Sequence, residues 1–279
     1  MEQIQKGALY LCPTPIGNLE DITLRTLNVL KNVDLIAAED TRHSLGLLNY
    51  FEIKKPLVSY FEHNKLERGP ELIEKLKTGT SVALVTDAGT PAISDPGEDL
   101  VRLCIKEGVK VIPLPGANAA LTALIASGIS TARFCFQGFL PVNKKERKER
   151  LTSVKNYIET LIFYEAPHKL KATLKDLKDI LGDRNICLCR ELTKKFEEFI
   201  PCSISQAEEL YRETDPRGEY VVIVEGCSNP DINKETELLS LEEIYQKYLE
   251  NGIDYKEAIK LAAKDKNISK REAYDILKK

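Results

Sequence analysis

Along the first 115 or so residues, short apolar runs alternate with amphipathic segments of helical period. The runs ALYLC (8–12), DLIAAE (34–39), PLVSYF (56–61), SVALVT (81–86) and VKVIPL (109–114) have the length and composition of buried strands. Between them, LEDITLRTLNVLKNV (19–33), RHSLGLLNYF (42–51), PELIEKLKTG (70–79) and GEDLVRLCIKEG (97–108) place apolar residues three and four apart, as helices do. Such alternation predicts an α/β fold with a mostly parallel sheet and helices on both faces. Ligands bind such sheets outside the carboxyl ends of the strands.

The pattern changes near residue 117. An apolar helix, ALTALIASG (120–128), precedes five more closely spaced strand candidates: RFCFQGFL, TLIFYEA, NICLCREL, FEEFIPCS and GEYVVIVEG. Helical segments KKERKERLTSVKNYI, PHKLKATLKDLKDILG and SISQAEELYRE separate them, which predicts a second α/β domain with more antiparallel pairing. A polar stretch, CSNPDINKETE (227–237), reads as a linker to three short helices, with Ser240 and Ser269 at two of their N-caps. The expected division is 1–116 and 117–227 for the two α/β domains and 238–279 for a small helical module.

Composition narrows the class. A chain of 279 residues with 43% hydrophobic and 30% charged content is that of a soluble globular protein long enough for two cores. A net charge of −3 gives no whole-chain attraction to nucleic acid, so any such contact has to come from local cationic patches. The seven cysteines form no C-x-x-C pair, which speaks against zinc, and no metal is expected. The odd count and the absence of an apolar signal core in MEQIQKGALY fit reduced thiols and a cytoplasmic location. Val111 to Ala132 is uncharged, but Pro113, Pro115, Gly116, Asn118 and Gly128 argue against a membrane-spanning helix.

Candidate chemistry gathers at the strand ends. VALVTDAGTPAISDPG spends eleven residues where a turn into a helix needs two to six, and fills them with glycine, proline and carboxylates. TPIGN after the first strand and PLPGANAA after the fifth have the same character, and together they predict a small-molecule pocket at one sheet edge. A blander reading makes Asp95 and Asn118 helix caps. In AEDTRHS, Glu39, Asp40 and Arg42 either face that pocket, with Arg42 on a phosphate, or supply a cap and a solvated cation. His63 and His168 follow strands and signal little alone. NKKERKERL (143–151) is either a solvated helix face or a phosphate-contacting patch. From Lys256 to the end, eight cations stand against four acids, a milder hint of the same kind. Neither a P-loop nor a GxGxxG fingerprint occurs.

PTPIGNLEDITLR, AEDTR, DAGTPAISDPG, PLPGANAALTAL, GFLP, YEAPHKL, RELTK and GEYVVIVEG occur in an order and spacing that resembles the ribosomal RNA small-subunit methyltransferase I family, of the tetrapyrrole methylase superfamily. The resemblance covers residues 7–226 and extends to the helical tail. It implies two α/β domains with S-adenosylmethionine in the cleft between them, and methylation of the ribose 2′-OH of a cytidine in the 16S rRNA decoding region. It also implies a homodimer acting on the small ribosomal subunit. By position, Ile16, Thr90, Ile93, Ser94, Asn118, Ala119 and Tyr164 would line the cofactor pocket, beside Asp87 and Gly89. Relatives in the superfamily usually carry Gly-Asp-Pro where this chain has Gly89-Thr90-Pro91, and Asp87 is the nearest carboxylate. Direct displacement at a sulfonium methyl needs alignment and a base or hydrogen bond for the hydroxyl. Glu39, Asp40, Glu165 and Lys194 are the candidates. Arg42, Lys144, Lys145, Arg147 and Lys148 would hold RNA phosphates. Two other readings share parts of the pattern: a precorrin-type methyltransferase of the same fold, and a non-catalytic rRNA-binding protein.

Overall fold

The computed structural model describes residues 3–228, 240–250, 253–266 and 268–277. The polar stretch read as a linker lies, from residue 229 on, outside the described residues.

The first sheet holds β1 (Ala8–Leu11), β2 (Leu35–Ala38), β3 (Leu57–Ser59), β4 (Val82–Val85) and β5 (Lys110–Pro113), all parallel in the order β3-β2-β4-β1-β5. Period-2 alternation sends Tyr10, Ile36, Ala38, Ala83 and Val85 to one face and Leu9, Leu35, Ala37, Val82 and Leu84 to the other. Helices α1 (Leu24–Asn32) and α2 (Thr41–Tyr50) cover the first face through Val29, Leu30 and Leu48. Helices α3 (Lys65–Lys77) and α4 (Gly97–Lys106) cover the second through Leu72, Leu76 and Leu100. Both faces being buried explains why these strands read as continuous apolar runs. Pro113 is tolerated because β5 lies at the sheet edge.

One helix departs from the predicted bounds. α3 begins at Lys65, upstream of the expected start, and carries Pro70 inside it. Proline removes the amide that would bond the carbonyl four residues back, so the sequence reads as a helix start. Burial of Leu72, Ile73 and Leu76 outweighs that single missing bond.

The second sheet holds β6 (Phe134–Phe139), β7 (Thr160–Glu165), β8 (Asn185–Arg190), β9 (Glu198–Ser203) and β10 (Tyr220–Val224) in the order β6-β7-β10-β8-β9. Only β6 and β7 are parallel; the other three pairs are antiparallel, as the closer strand spacing predicts. Helices α6 (Lys144–Val154), α7 (Pro167–Leu181) and α8 (Ile204–Leu210) bury one face through Leu151, Leu170, Leu174 and Ala207. The other face is covered by α5 (Ala119–Ala126) and, from the first loop of the chain, by Ile16.

Helices α9 (Leu241–Glu250), α10 (Tyr255–Asp265) and α11 (Lys270–Leu277) share a separate small core around Ile244, Ile259, Ala262 and Ala273. Ser240 and Ser269 cap α9 and α11 as expected, each in a reciprocal box with Glu243 and Glu272. Among the described residues no helix is long and apolar enough to cross a membrane.

Candidate functional site

Neighbouring strands β1 and β4 send their chains to opposite faces, into α1 and α4 respectively. That arrangement opens a crevice outside the two carboxyl ends. The loop after β1 runs through it as a strap. Thr14 and Gly89 exchange backbone hydrogen bonds of 2.9 and 3.1 Å, tying the strap to the long loop after β4. On its other flank Pro13 packs so tightly against Gly116 that a Cβ there would stand 2.4 Å from the Pro13 Cβ. Gly17 touches the connection between β8 and β9: a Cβ would fall 2.5 Å from Lys194 Cγ and 2.9 Å from the Leu192 carbonyl oxygen. The expected TPIGN, DAGTP and PGANA segments therefore meet at one place, with the β8–β9 connection as a fourth wall.

The loop between β4 and α4 is held by Asp95. Its Oδ1 accepts from Ala92 N at 3.0 Å and Gly97 N at 2.7 Å, and its Oδ2 accepts from Ile93 N at 3.2 Å. These bonds fix two non-glycine residues in the left-handed region, Ala92 at φ 69° and Ser94 at φ 64°. Such residues persist only where the surroundings impose them. Gly89, at φ 85°, faces Ile16. Thr90 donates its hydroxyl to the Ala117 carbonyl at 2.8 Å, linking this loop to the one after β5. Asp87, Ile93 and Ser94 are exposed on the loop's surface. Pro96, not Asp95, is the N-cap of α4; Asp95 meets the helix's first amide, at Gly97, and shapes the crest of the loop.

Asn118 caps α5, its side-chain oxygen accepting from Leu121 N at 3.1 Å. Ala119 and Tyr164 pack on the α5 side of the second sheet with Ile16. Ala120 N donates to the Tyr164 hydroxyl at 3.2 Å, and burial pushes that phenol's pKa up. Ile16, Gly89, Thr90, Asn118, Ala119 and Tyr164 are therefore linked through direct contacts and shared packing. Sequence reasoning missed Thr193, whose buried hydroxyl finds no partner among the described residues and lies beside Gly17. A threonine after a strand carries no signal of that kind.

The four candidates for a base separate clearly. Glu39, half-buried at the end of β2, accepts from the Thr86 hydroxyl at 2.6 Å through Oε2 alone. Asp40 is occupied: it caps α2 by accepting from Arg42 N at 2.9 Å and takes the Arg42 guanidinium at 2.8 and 3.2 Å. Those bonds lower its pKa to about 2, which makes it a poor proton acceptor. Glu165 does not face the crevice. Alternation along β7 turns it away from Tyr164 into the core beneath α7, where it accepts from Thr173 Oγ1 at 2.5 Å and Ala166 N at 2.9 Å. Lys194 is paired with Glu191 and Glu219 at 3.0 and 2.9 Å; desolvation opposes its charge, but those carboxylates raise its pKa overall. Those pairs favour the protonated ammonium, which has no lone pair with which to take a proton.

The cationic set also divides. Arg42 is exposed and bound to Asp40. Arg147 is not a free phosphate contact: its guanidinium meets Asp176 at 2.7 and 2.8 Å, with the two side chains only 12% and 5% exposed. It ties α6 to α7. Lys144 and Lys145 are exposed at the start of α6 and line a shallow depression with Lys148, Glu149, Thr152 and Ser153. Lys148 stands 3.7 Å from Asp176.

The crevice fits the cofactor's chemistry. Ile16, Ile93 and Tyr164 offer apolar surface beside the left-handed backbone of Gly89, and the Asp87 and Glu39 carboxylates at the ends of β4 and β2 supply negative charge that suits a cationic sulfonium.

Comparison with known proteins agrees with this geometry. The profile of the tetrapyrrole (corrin/porphyrin) methylases matches residues 8–208. A ribosomal RNA small subunit methyltransferase I of Bacillus subtilis is 54% identical over 272 residues, covering 96% of this chain and 93% of that protein. One from Synechocystis is 42% identical over 271 residues, covering 97% of each. Among solved structures, uroporphyrin-III C-methyltransferase from Thermus thermophilus complexed with S-adenosyl homocysteine superposes with a TM-score of 0.57 at 19% identity, over 78% of this chain and 97% of that one. A cobalt precorrin-4 methyltransferase gives 0.59 at 17% identity, over 82% and 100%. At those identities the superpositions speak for the fold alone.

Proposed function

The chain belongs to the ribosomal RNA small subunit methyltransferase I family within the tetrapyrrole methylases, and we propose that it methylates the ribose 2′-OH of a cytidine in 16S rRNA. It is an S-adenosylmethionine-dependent methyltransferase. The observation that carries the acceptor is the 54% identity across nearly the whole chain to a protein named for ribosomal RNA.

The cofactor supplies an electrophilic methyl group on a sulfonium. Gly89–Ser94 and Gly116–Ala119 would hold it, with Ile16 and Tyr164 as apolar walls. Glu39 is the base. Thr86 fixes one of its oxygens, and the other would take the proton that the ribose hydroxyl loses on methylation. Positioning of the hydroxyl against the methyl donor would supply much of the remaining acceleration. Lys144, Lys145 and Lys148 receive phosphates of the small subunit's rRNA.

The division at residues 116 and 117 belongs to the same proposal: all five strands of the first sheet precede it and all five of the second follow. So does a homodimer, supported by Leu121 and Ile125, which stand 49% and 76% exposed on the outer side of an otherwise apolar α5. A monomer mass in light scattering at micromolar concentration would remove it. We place the protein in the cytoplasm, where its seven cysteines remain thiols.

The test offers two acceptors with methyl-labelled S-adenosylmethionine: unmodified small ribosomal subunits and uroporphyrinogen. Label should enter the RNA. Label in the tetrapyrrole alone, or in neither, would overturn the reading.

A further inference from the structure

Phe139 ends β6, an edge strand of the second sheet, and keeps 58% of its surface in solvent. Its orientation is nevertheless fixed. Tyr164 is its register partner, and the two rings meet edge-on with centroids 5.4 Å apart. Phe136 braces Tyr164 from the same face at 5.0 Å. Gly138, next in the chain, sits at a bulge in β6, and a Cβ there would stand 3.3 Å from Ser94 Oγ on the crest of the long loop. The exposed ring therefore adjoins the proposed cofactor pocket without being enclosed in it. After the buried Leu140 and the half-buried Pro141 come Val142, 73% exposed, and then Lys144 and Lys145.

An oriented, accessible aromatic followed by an apolar residue and cations is the combination by which proteins hold unpaired nucleotides: bases stack on rings while cations follow the backbone. Specific recognition of a nucleotide within folded RNA most often uses unpaired, splayed-out bases that stack on such rings. We propose that Phe139 is the platform on which the base of the acceptor nucleotide stacks, with Lys144 and Lys145 receiving the flanking phosphates. The inference rests on the rRNA reading above and adds a binding residue to it. A stacked ring is indifferent to which base it holds, so Phe139 secures the nucleotide without choosing it.

The test compares wild type with Phe139→Ala, Phe139→Leu and Phe139→Trp. It measures KM for unmodified small subunits, cofactor affinity by calorimetry and mass by light scattering. Alanine and leucine should raise KM by about 5- to 100-fold, the loss of one stacked base. Tryptophan should remain close to wild type, with cofactor affinity and mass unchanged in all three. Leucine performing as well as phenylalanine would reduce the residue to apolar cover and overturn the inference. A parallel loss of cofactor affinity would do so by assigning the ring to the cofactor, and a change in mass by assigning it to an interface between copies. Failure of the wild type itself to methylate subunits would instead bring down the underlying rRNA reading, and the platform with it.

Discussion

Replacing Asp95 with alanine removes the acceptors of three backbone amides, from Ala92, Ile93 and Gly97. Asp95 is half-exposed, so each bond contributes about 1 kcal/mol, well below the value of a fully buried charge-assisted bond. Two of the three hold the crest of the loop, where Ala92 and Ser94 are left-handed at about 1 kcal/mol each. Without the carboxylate the crest should relax by about 2–3 kcal/mol toward ordinary backbone. If that crest binds S-adenosylmethionine, affinity should fall by about 30- to 150-fold, because the competent conformation becomes a minor one. The third bond holds the first amide of α4, and its loss should cost about 1 kcal/mol of global stability, a fall of roughly 2–4 °C in Tm. Calorimetric titration with the cofactor and a thermal melt separate the two effects. Wild-type affinity in a folded Asp95→Ala protein would refute the idea that this loop shape creates the pocket. A fall in Tm of more than about 10 °C would refute the claim that the effect is local.

Glu39→Gln should lower kcat by about 10²- to 10⁴-fold with cofactor affinity retained, read by single-turnover methyl transfer; an unchanged kcat would remove it as the base. Gly116→Ala drives a Cβ to within 2.4 Å of Pro13, so the strap must shift and cofactor affinity should fall, by calorimetry. Arg147→Ala leaves the buried Asp176 carboxylate with only the longer Lys148 contact at 3.7 Å and should cost about 2–3 kcal/mol in urea unfolding. Lys144→Ala with Lys145→Ala should leave stability unchanged and reduce the log–log salt slope of RNA binding by roughly 0.7 to 0.9 per lost contact. Asp34 accepts from the Ser81 hydroxyl at 2.6 Å and amide at 2.8 Å, bonds that lower its pKa. A depressed folded-state pKa gives stability that is present above the unfolded carboxylate's pKa and lost as pH falls through the folded one. The stability gap between wild type and Asp34→Asn should therefore close below about pH 4.

The parallel sheet was legible because buried strands advertise themselves as apolar runs, and the crevice because glycine and proline accumulate where three of those runs end. Other features depend on which face a side chain finds. Tyr164 and Glu165 are adjacent in sequence, yet only the packing of α5 on one side and α7 on the other shows which of them meets the crevice. Arg147 reads as one more cation in a solvated run until α7 brings Asp176 against it. Phe139 lies in a strand candidate whose sequence does not say which end stays open; it is exposed at the end of β6, an edge strand. Pro70 reads as a helix start because proline is favoured there, and the helix passes through it only because its buried face outweighs one amide.

The central claim, that the crevice between the two sheets delivers a methyl group to a ribose of 16S rRNA, is met most directly by mass-spectrometric mapping. Unmodified small subunits would be treated with the protein and S-adenosylmethionine, and their rRNA digested to nucleosides and to sequence-specific fragments. One added methyl on the ribose of a single cytidine, absent when Glu39→Gln replaces wild type, is the predicted result. A methyl group on a base, on ribosomal protein, or on no component of the subunit would contradict it.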